Sequence, residues 1–316
     1  MCAGMQIGAG VDLVGPAGPT KWASRKVRRS ARRWAEGYIL ILPALAIFGL
    51  FFLLPVYYAV SLSFQHWNGL SPIDTAVWVG LDNYRALLGN EAFRDGLLHT
   101  VVLVICNTVL QTGLAFLLAF GLWYYKRRFA AAQRLIIFLP TVLAMVLVGL
   151  LWQQTLAKTG PINAIFGLNI SWLGNPDVVL GPIGWMGVWQ WTGWSMMIFL
   201  AAMVAVPKEL VEAGRVDGAS DARIGWSIVR PLVGYATALV VLLNIIGAAQ
   251  TFDTVQVTTR GGPDHASETL ATFGYWAALD GSGPGAFGLA SAGSCVMIAA
   301  LMLVAVARLR MIRDLD

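Results

Sequence analysis

Glu212-Ala213-Gly214-Arg215-Val216-Asp217-Gly218-Ala219, followed at a distance by Ile228 and Pro231, forms a polar island between two apolar runs, residues 183–206 and 232–252. Neither run contains Asp, Glu, Lys or Arg. A chain that only had to turn between two greasy helices needs a few residues to do it, and this one uses 25, from 207 to 231. The excess suggests that the island is built to meet something.

Working outward, the rest of the chain is as apolar as its two flanks. Hydrophobic residues make up 57% and charged residues 12%, whereas soluble domains run near ~45–50% and ~25%. That surplus cannot be hidden in the core of a 316-residue chain, so it must face lipid. Six windows reach the ~20 apolar residues that a bilayer about 30 Å thick requires of a helix: 38–60, 97–124, 135–156, 183–206, 232–252 and 287–307. None carries a charge. The expected fold is therefore all-α, a polytopic membrane protein with six transmembrane helices. Prolines 43, 55 and 140 lie within these windows, where membrane helices tolerate them because neighbours satisfy the freed backbone groups.

Basic residues near span ends stay on the cytoplasmic side. They gather in the tail before the first span (Lys21, Arg25, Lys26, Arg28, Arg29, Arg32, Arg33), after the second (Lys126, Arg127, Arg128, Arg134), in the island (Lys208, Arg215, Arg223, Arg230) and at the carboxy end (Arg308, Arg310, Arg313). Only Arg85, Arg94, Lys158 and Arg260 fall on the other side. Both termini are expected in the cytoplasm, with residues 1–36 as a basic cytoplasmic tail and 37–316 as the membrane domain. The net charge of +5 reads as this retention signal and not as a nucleic-acid patch, because it is divided among four short segments. The first apolar run, at 23 residues, exceeds the ~7–15 of a cleavable signal and has no small-x-small site after it, so it reads as a retained span.

Several chemistries find no residues here. Cys2, Cys106 and Cys295 lack ligand spacing, and His66, His99 and His265 have no paired nucleophile, so neither a metal site nor an enzyme is expected. No span holds an ionisable group of the kind a proton- or ion-coupled carrier uses. No G-x-x-x-x-G-K-[ST] loop is present either, and Lys158, the one Lys followed by Ser or Thr, follows Ala157. If the chain transports anything actively, another polypeptide hydrolyses the ATP. An ATP-independent secondary carrier for a small polar solute is the alternative.

Within the island, 208–214 reads as a short amphipathic helix, Gly218 as a sharp turn, and 222–229 as a second helix stopped by Pro231. Glu212 and Asp217 are candidates for capping helix amino ends or meeting basic groups on a partner. Glu212-Ala213, Gly218, Ile228 and Pro231 resemble the EAA loop of permease subunits in binding-protein-dependent ABC importers. Arg215-Val216-Asp217-Gly218-Ala219-Ser220 is similar to its carbohydrate-uptake version. Phe252-Asp253, Thr259-Arg260-Gly261-Gly262-Pro263 and Glu268-Thr269-Leu270 resemble the external loop of the first permease subunit of maltose- and glycerol-3-phosphate-type importers. Leu42-Pro43-Ala44, Leu54-Pro55 and Gly80-Leu81-Asp82-Asn83-Tyr84 fit the same subunit. The resemblance runs from about residue 36 to the end. It departs where Gly214 replaces a second Ala, Gly225 a bulky aromatic, Arg230 a Leu and Arg260 a third Gly.

This resemblance implies a type I ABC importer permease fold in a bacterial inner membrane. It also implies a second permease chain, a cytoplasmic ABC ATPase dimer that binds the ATP and Mg, an extracytoplasmic solute-binding protein, and a carbohydrate as cargo. No cofactor is expected on this chain. ATPase coupling falls to Glu212, Ala213, Asp217, Gly218, Ala219, Ile228 and Pro231, and binding-protein contact to Gly261, Gly262 and Pro263. For the pathway, Gln190, Trp191 and Trp194 share a helix face with Gly187, and Asn244, Gly247, Ala248 and Thr251 share another. Aromatic faces accept sugar C–H surfaces and amides accept hydroxyls, so two such stripes suit a neutral polyhydroxy ligand, although Trp belts and Gly stripes also serve lipid interfaces and helix packing.

Overall fold

The computed structural model describes residues 38, 40–125, 129–279 and 285–313. The tail over 1–36 and the basic residues Lys126, Arg127 and Arg128 lie outside them. By contact density the chain divides into a first unit ending at Tyr58 and a second starting at Ala59. From Leu40 on, the described residues of the first unit fall within helix α1, Leu40–Leu62. A π turn at Gly49–Leu53 widens the helix just before Pro55, whose missing N–H would otherwise leave a carbonyl unpaired.

The second unit opens with a small antiparallel pair, β1 (Gln65–His66) and β2 (Val77–Trp78), and a short helix α2, Asp82–Gly89. Helix α3, Glu91–Tyr124, is the longest among the described residues. Asn90 caps its start by accepting from Phe93 N at 3.0 Å, so it begins before the apolar window and carries Glu91, Arg94 and Asp95 beyond it. At 34 residues and about 1.5 Å per residue, it exceeds the hydrocarbon thickness.

The third window is not one helix. Residues 135–156 are divided between α4, Ala130–Val142, and α5, Met145–Thr155, which meet at 99°. Leu143 and Ala144 between them are extended, and backbone freed at membrane depth needs a protein partner. Gln190 supplies it by donating Nε2 to Leu143 O at 3.0 Å, while Thr141 Oγ1 donates to Gln190 O at 2.9 Å. Apolar composition reads the same whether the run is straight or broken, so the window was legible and the bend was not.

After a short helix α6, Pro161–Phe166, comes α7, Leu180–Val204, the most buried helix among the described residues. Its 25 residues suffice to cross a membrane. Gly193 lies against the Ile137 carbonyl, and a Cβ there would come within 2.8 Å of Phe138 Cα. The glycine is what lets α7 and α4 touch backbone to backbone. The island then forms α8, Lys208–Val216, and α9, residues 221–232, followed by α10, Gly234–Ala249.

Pro231 does not end the second loop helix. A π turn at Ile224–Val229 shifts the hydrogen-bond register, Arg230 N reaches Gly225 O, and Val233 N returns to Val229 O at 3.0 Å. The chain passes almost without interruption into α10. That helix stops at Ala249, short of Phe252. Helix α11, Asp253–Thr258, then packs on α5, where Gly149 admits Val257 so closely that a Cβ would lie 3.0 Å from its Cγ1. Helices α12, Leu270–Leu279, and α13, Ala286–Arg313, complete the described chain. Four stretches among the described residues, α1, α3, α10 with α11, and α13, qualify as spans by length and composition, and up to six if the bent pairs α4/α5 (99°) and α7/α8 (82°) each count as one.

Candidate functional site

Helix α8 ends in a Schellman motif. Ala219 N donates to Gly214 O at 2.9 Å and Gly218 N to Arg215 O at 3.0 Å, with Gly218 at φ +75°. This left-handed position is costly for any residue with a Cβ. The following helix is capped by Ser220, whose Oγ accepts from Arg223 N at 3.4 Å. Glu212 and Asp217 therefore do not cap amino ends: Glu212 sits mid-helix and Asp217 at the carboxy end of α8.

The two loop helices face each other through Gly214 and Ile228. A Cβ on Gly214 would meet Ile228 Cδ1 at 2.7 Å and Ile224 Cγ1 at 3.6 Å, so the Gly that departs from the resemblance draws α9 closer. Gly225 does the same toward α3, where an added Cβ would touch the Phe120 ring at 3.2 Å. Val211, Gly214, Ile224, Gly225 and Val229 are buried in this contact, within the cluster that includes Phe199 and Met203 of α7. Glu212, Ala213, Asp217 and Gly218 are exposed, and so is Val216 at 87%. Ala219 and Ile228 are half-buried and Pro231 is exposed. The loop is thus fastened to the membrane helices on one side and bare on the other.

The fastening is polar as well. Tyr124 Oη donates to Asp221 Oδ1 at 2.7 Å and Tyr125 Oη to Asp221 Oδ2 at 2.8 Å. Arg215 Nε donates to Tyr124 Oη at 3.0 Å, with the guanidinium 4.6 Å from the ring centroid. The two tyrosine hydroxyls, and behind them Arg215, hold the Asp221 carboxyl below its usual pKa. Sequence reasoning alone misses Tyr124, Tyr125 and Asp221. A Tyr pair closing an apolar span reads as an interface belt, and nothing local pairs it with a residue about a hundred positions on.

Deeper in the bundle, α3, α7 and α10 share a buried polar knot. Gln111 Nε2 donates to Asn244 Oδ1 at 2.8 Å and to Ser195 Oγ at 3.0 Å. Ser195 Oγ donates to Asn244 Oδ1 at 3.1 Å, and Asn244 Nδ2 to Thr112 Oγ1 at 3.1 Å. Of the sequence-derived pathway residues, Gln190 and Asn244 have their amides engaged within the chain, and Ala248 is buried. Trp194 is 47% exposed and Gly247 is exposed, with open space where a Cβ would project. Trp191 and Thr251 are half-buried, Thr251 giving its hydroxyl to Ala248 O. The two stripes therefore come together, joined by Gln111 and Ser195, which the stripes themselves do not include. The signal that could have found Gln111 is its amide in the middle of a charge-free run.

At the other end of α10, Gly261, Gly262 and Pro263 form a tight turn with Gly261 at φ +89°. Ser267 Oγ donates to Gly262 O and Ala266 N to Pro263 O at 2.8 Å. Arg260 adopts φ +54°, a conformation glycine would hold more easily.

The profile described as "Binding-protein-dependent transport system inner membrane component" matches residues 111–313. The "Probable ABC transporter permease protein YurN" of Bacillus subtilis (strain 168) is 30% identical over 77% of this chain and 85% of its own length. The "Lactose transport system permease protein LacF" of Rhizobium radiobacter is 27% identical over 78% of this chain and 85% of its own. A chain in the crystal structure of the bacterial alginate ABC transporter, in complex with alginate pentasaccharide-bound periplasmic protein, superposes with TM-score 0.78 at 20% identity. It covers 91% of this chain and 97% of that one, and its likeness fixes the fold as that of a type I ABC importer permease. These matches favour an ABC transporter component over an ATP-independent carrier. The chain belongs to the family of binding-protein-dependent transport system inner membrane components.

Proposed function

We propose that this chain and a second, similar permease chain enclose a translocation pathway for a carbohydrate in a bacterial inner membrane, with both termini in the cytoplasm. The chain catalyses nothing itself. A cytoplasmic ABC ATPase dimer binds ATP and Mg and receives the bare face of α8, with Glu212, Ala213, Asp217 and Gly218 at the contact and Ala219, Ile228 and Pro231 shaping it. An extracytoplasmic solute-binding protein delivers cargo beside Gly261, Gly262 and Pro263.

The observation that carries this reading is the two-sidedness of the loop: one face is tied to α3 by Tyr124, Tyr125 and Asp221, and the other is open. A docked ATPase that moves would carry the membrane helices with it, which is how differential contacts bias two states. The carbohydrate assignment draws on the lactose and alginate systems among the relatives and on the charge-free spans. Trp194 and Gly247 offer the open surface of the pathway, and Gln190, Trp191, Asn244, Ala248 and Thr251 shape it from behind.

The test is uptake of labelled sugars by cells carrying Glu212→Lys or Gly218→Pro, the second being incompatible with the left-handed turn. Uptake and substrate-stimulated ATPase should be lost while the subunit remains in the membrane. Undiminished uptake would discard the loop's role.

A further inference from the structure

Beside the Gly261–Pro263 turn lies a cavity of about 560 Å³ that neither the loop nor the polar knot uses. Its walls come from β1 (His66), the turn (His265, Glu268), α12 (Phe273, Trp276) and the start of α13. Glu268 is only 3% exposed, yet it lines the cavity. His265 Nδ1 takes its Oε2, and its second carboxylate oxygen has no protein partner among the described residues. The His66 ring has none either. Gly285 sits so near that imidazole that a Cβ would press on it at 3.1 Å, so the glycine keeps the space clear.

The lining narrows the occupant. No three His, Cys, Asp or Glu among the described residues are placed to hold a metal. An anion would meet the Glu268 carboxylate with no Lys or Arg among the described residues of the wall. An apolar molecule would strip water from Glu268 and His66 and return no hydrogen bond, so the desolvation of each group would go uncompensated. A polyhydroxy ring satisfies all of it, since its hydroxyls donate to the carboxylate, exchange hydrogen bonds with imidazoles, and leave a C–H face for Phe273 and Trp276. The volume lies within the ~300–1,000 Å³ of small-molecule sites.

We propose that this cavity is an outer holding site for a sugar ring, filled between release from the binding protein and entry to the pathway, with Glu268 and His66 as its hydroxyl contacts and Trp276 as its stacking surface. The proposal rests on the carbohydrate reading above. It adds a second sugar contact on the side of the membrane opposite the coupling loop, apart from Trp194 and Gly247.

The experiment uses the full complex with its binding protein and ATPase, reconstituted in proteoliposomes, and a panel of glucose, xylose, lactose, maltose and trehalose. Glu268→Gln is nearly isosteric, and His66→Ala alters an exposed rim residue, so both should assemble as judged by size-exclusion chromatography. On whichever panel sugar the unmodified complex imports, each variant should raise KM about tenfold with kcat changed less than twofold. Trp276→Phe should keep much of the affinity that Trp276→Ala loses. Unaltered KM in both variants overturns the holding site while leaving carbohydrate import standing. So does a tenfold loss in docking of the sugar-free binding protein, because the cavity would then receive a side chain of that partner. If the unmodified complex imports no sugar on the panel, the carbohydrate reading fails and the holding site with it.

Discussion

Tyr124, the last residue of α3, donates a hydrogen bond of 2.7 Å to Asp221 at the start of α9, joining the end of a membrane helix to the loop proposed to receive the ATPase. Tyr125 grips the other carboxylate oxygen and Arg215 closes the triangle on Tyr124. These groups are exposed and solvent-screened, so their value is orientation and not stability. The double variant Tyr124→Phe/Tyr125→Phe should leave assembly intact and lower substrate-stimulated ATPase several-fold. Because the Asp221 pKa lies below its usual value, the clamp is complete above the ordinary carboxylate range. It loosens only as pH falls through the lowered folded value. ATPase stimulation should therefore show no acid-limb contribution from this group between pH 6 and 8, roughly two units or more above the ordinary aspartate value of about 3.9.

Gly214 sets the spacing of the two loop helices. Replacing it by Ala gains helix propensity of about 1 kcal/mol but pushes on the far end of the Ile228 side chain, which can rotate away. Gly214→Ala should therefore be close to neutral for transport. Gly214→Leu should uncouple ATPase from substrate, and Ile228→Ala should restore part of the coupling by clearing the space. Lack of rescue in the double variant would place the Gly214 effect elsewhere.

What is legible in the sequence follows from what periodicity and composition can encode. Lipid demands long apolar runs, so the six windows stand out. Gly218 marks a turn because few other residues tolerate its backbone angle, and the island does fold as helix, turn and helix. The break at Leu143–Ala144 is invisible, because its partner Gln190 lies on another helix and a broken run has the same composition as a straight one. Pro231 misleads for a related reason. A proline ends a regular α-helix, but a π turn just before it changes which carbonyl is left waiting. Asn244 is conspicuous as a polar residue in a greasy stripe, whereas its partners Gln111, Ser195 and Thr112 become a set only when three helices cross.

Gly193 offers a direct test of the contact between α4 and α7. Its neighbours are backbone atoms of α4, the Ile137 carbonyl and Phe138 Cα, which cannot swing aside as a side-chain end can. Gly193→Ala should destabilise the purified subunit by about 1–3 kcal/mol through overpacking, read as a lowered Tm in detergent. Gly247→Ala, with open space around it, should leave Tm unchanged. Equal Tm values for the two variants would mean that α4 and α7 do not meet at Gly193.

Glu268 gives the subunit a second pH signature, of opposite sign to that of Asp221. Burial raises its carboxyl pKa, and the nearby His265 and His99 only partly offset this, while Asp95 adds to it. A raised folded pKa means that the folded state holds its proton more tightly than the unfolded chain. The associated stability is complete below the ordinary glutamate value, about 4.3, and is lost as pH rises through the raised folded value. Glu268→Gln keeps the shape and is neutral at every pH. The Tm difference between the variant and the unmodified subunit should therefore grow in the variant's favour from pH 4 upward, levelling off once the native carboxyl is fully ionised. His265 Nδ1 contacts the same carboxyl, so His265→Gln should be measured in parallel. If the difference stays flat from pH 4 to 7 in both backgrounds, the carboxyl titrates as if in water and is not buried at the foot of the turn.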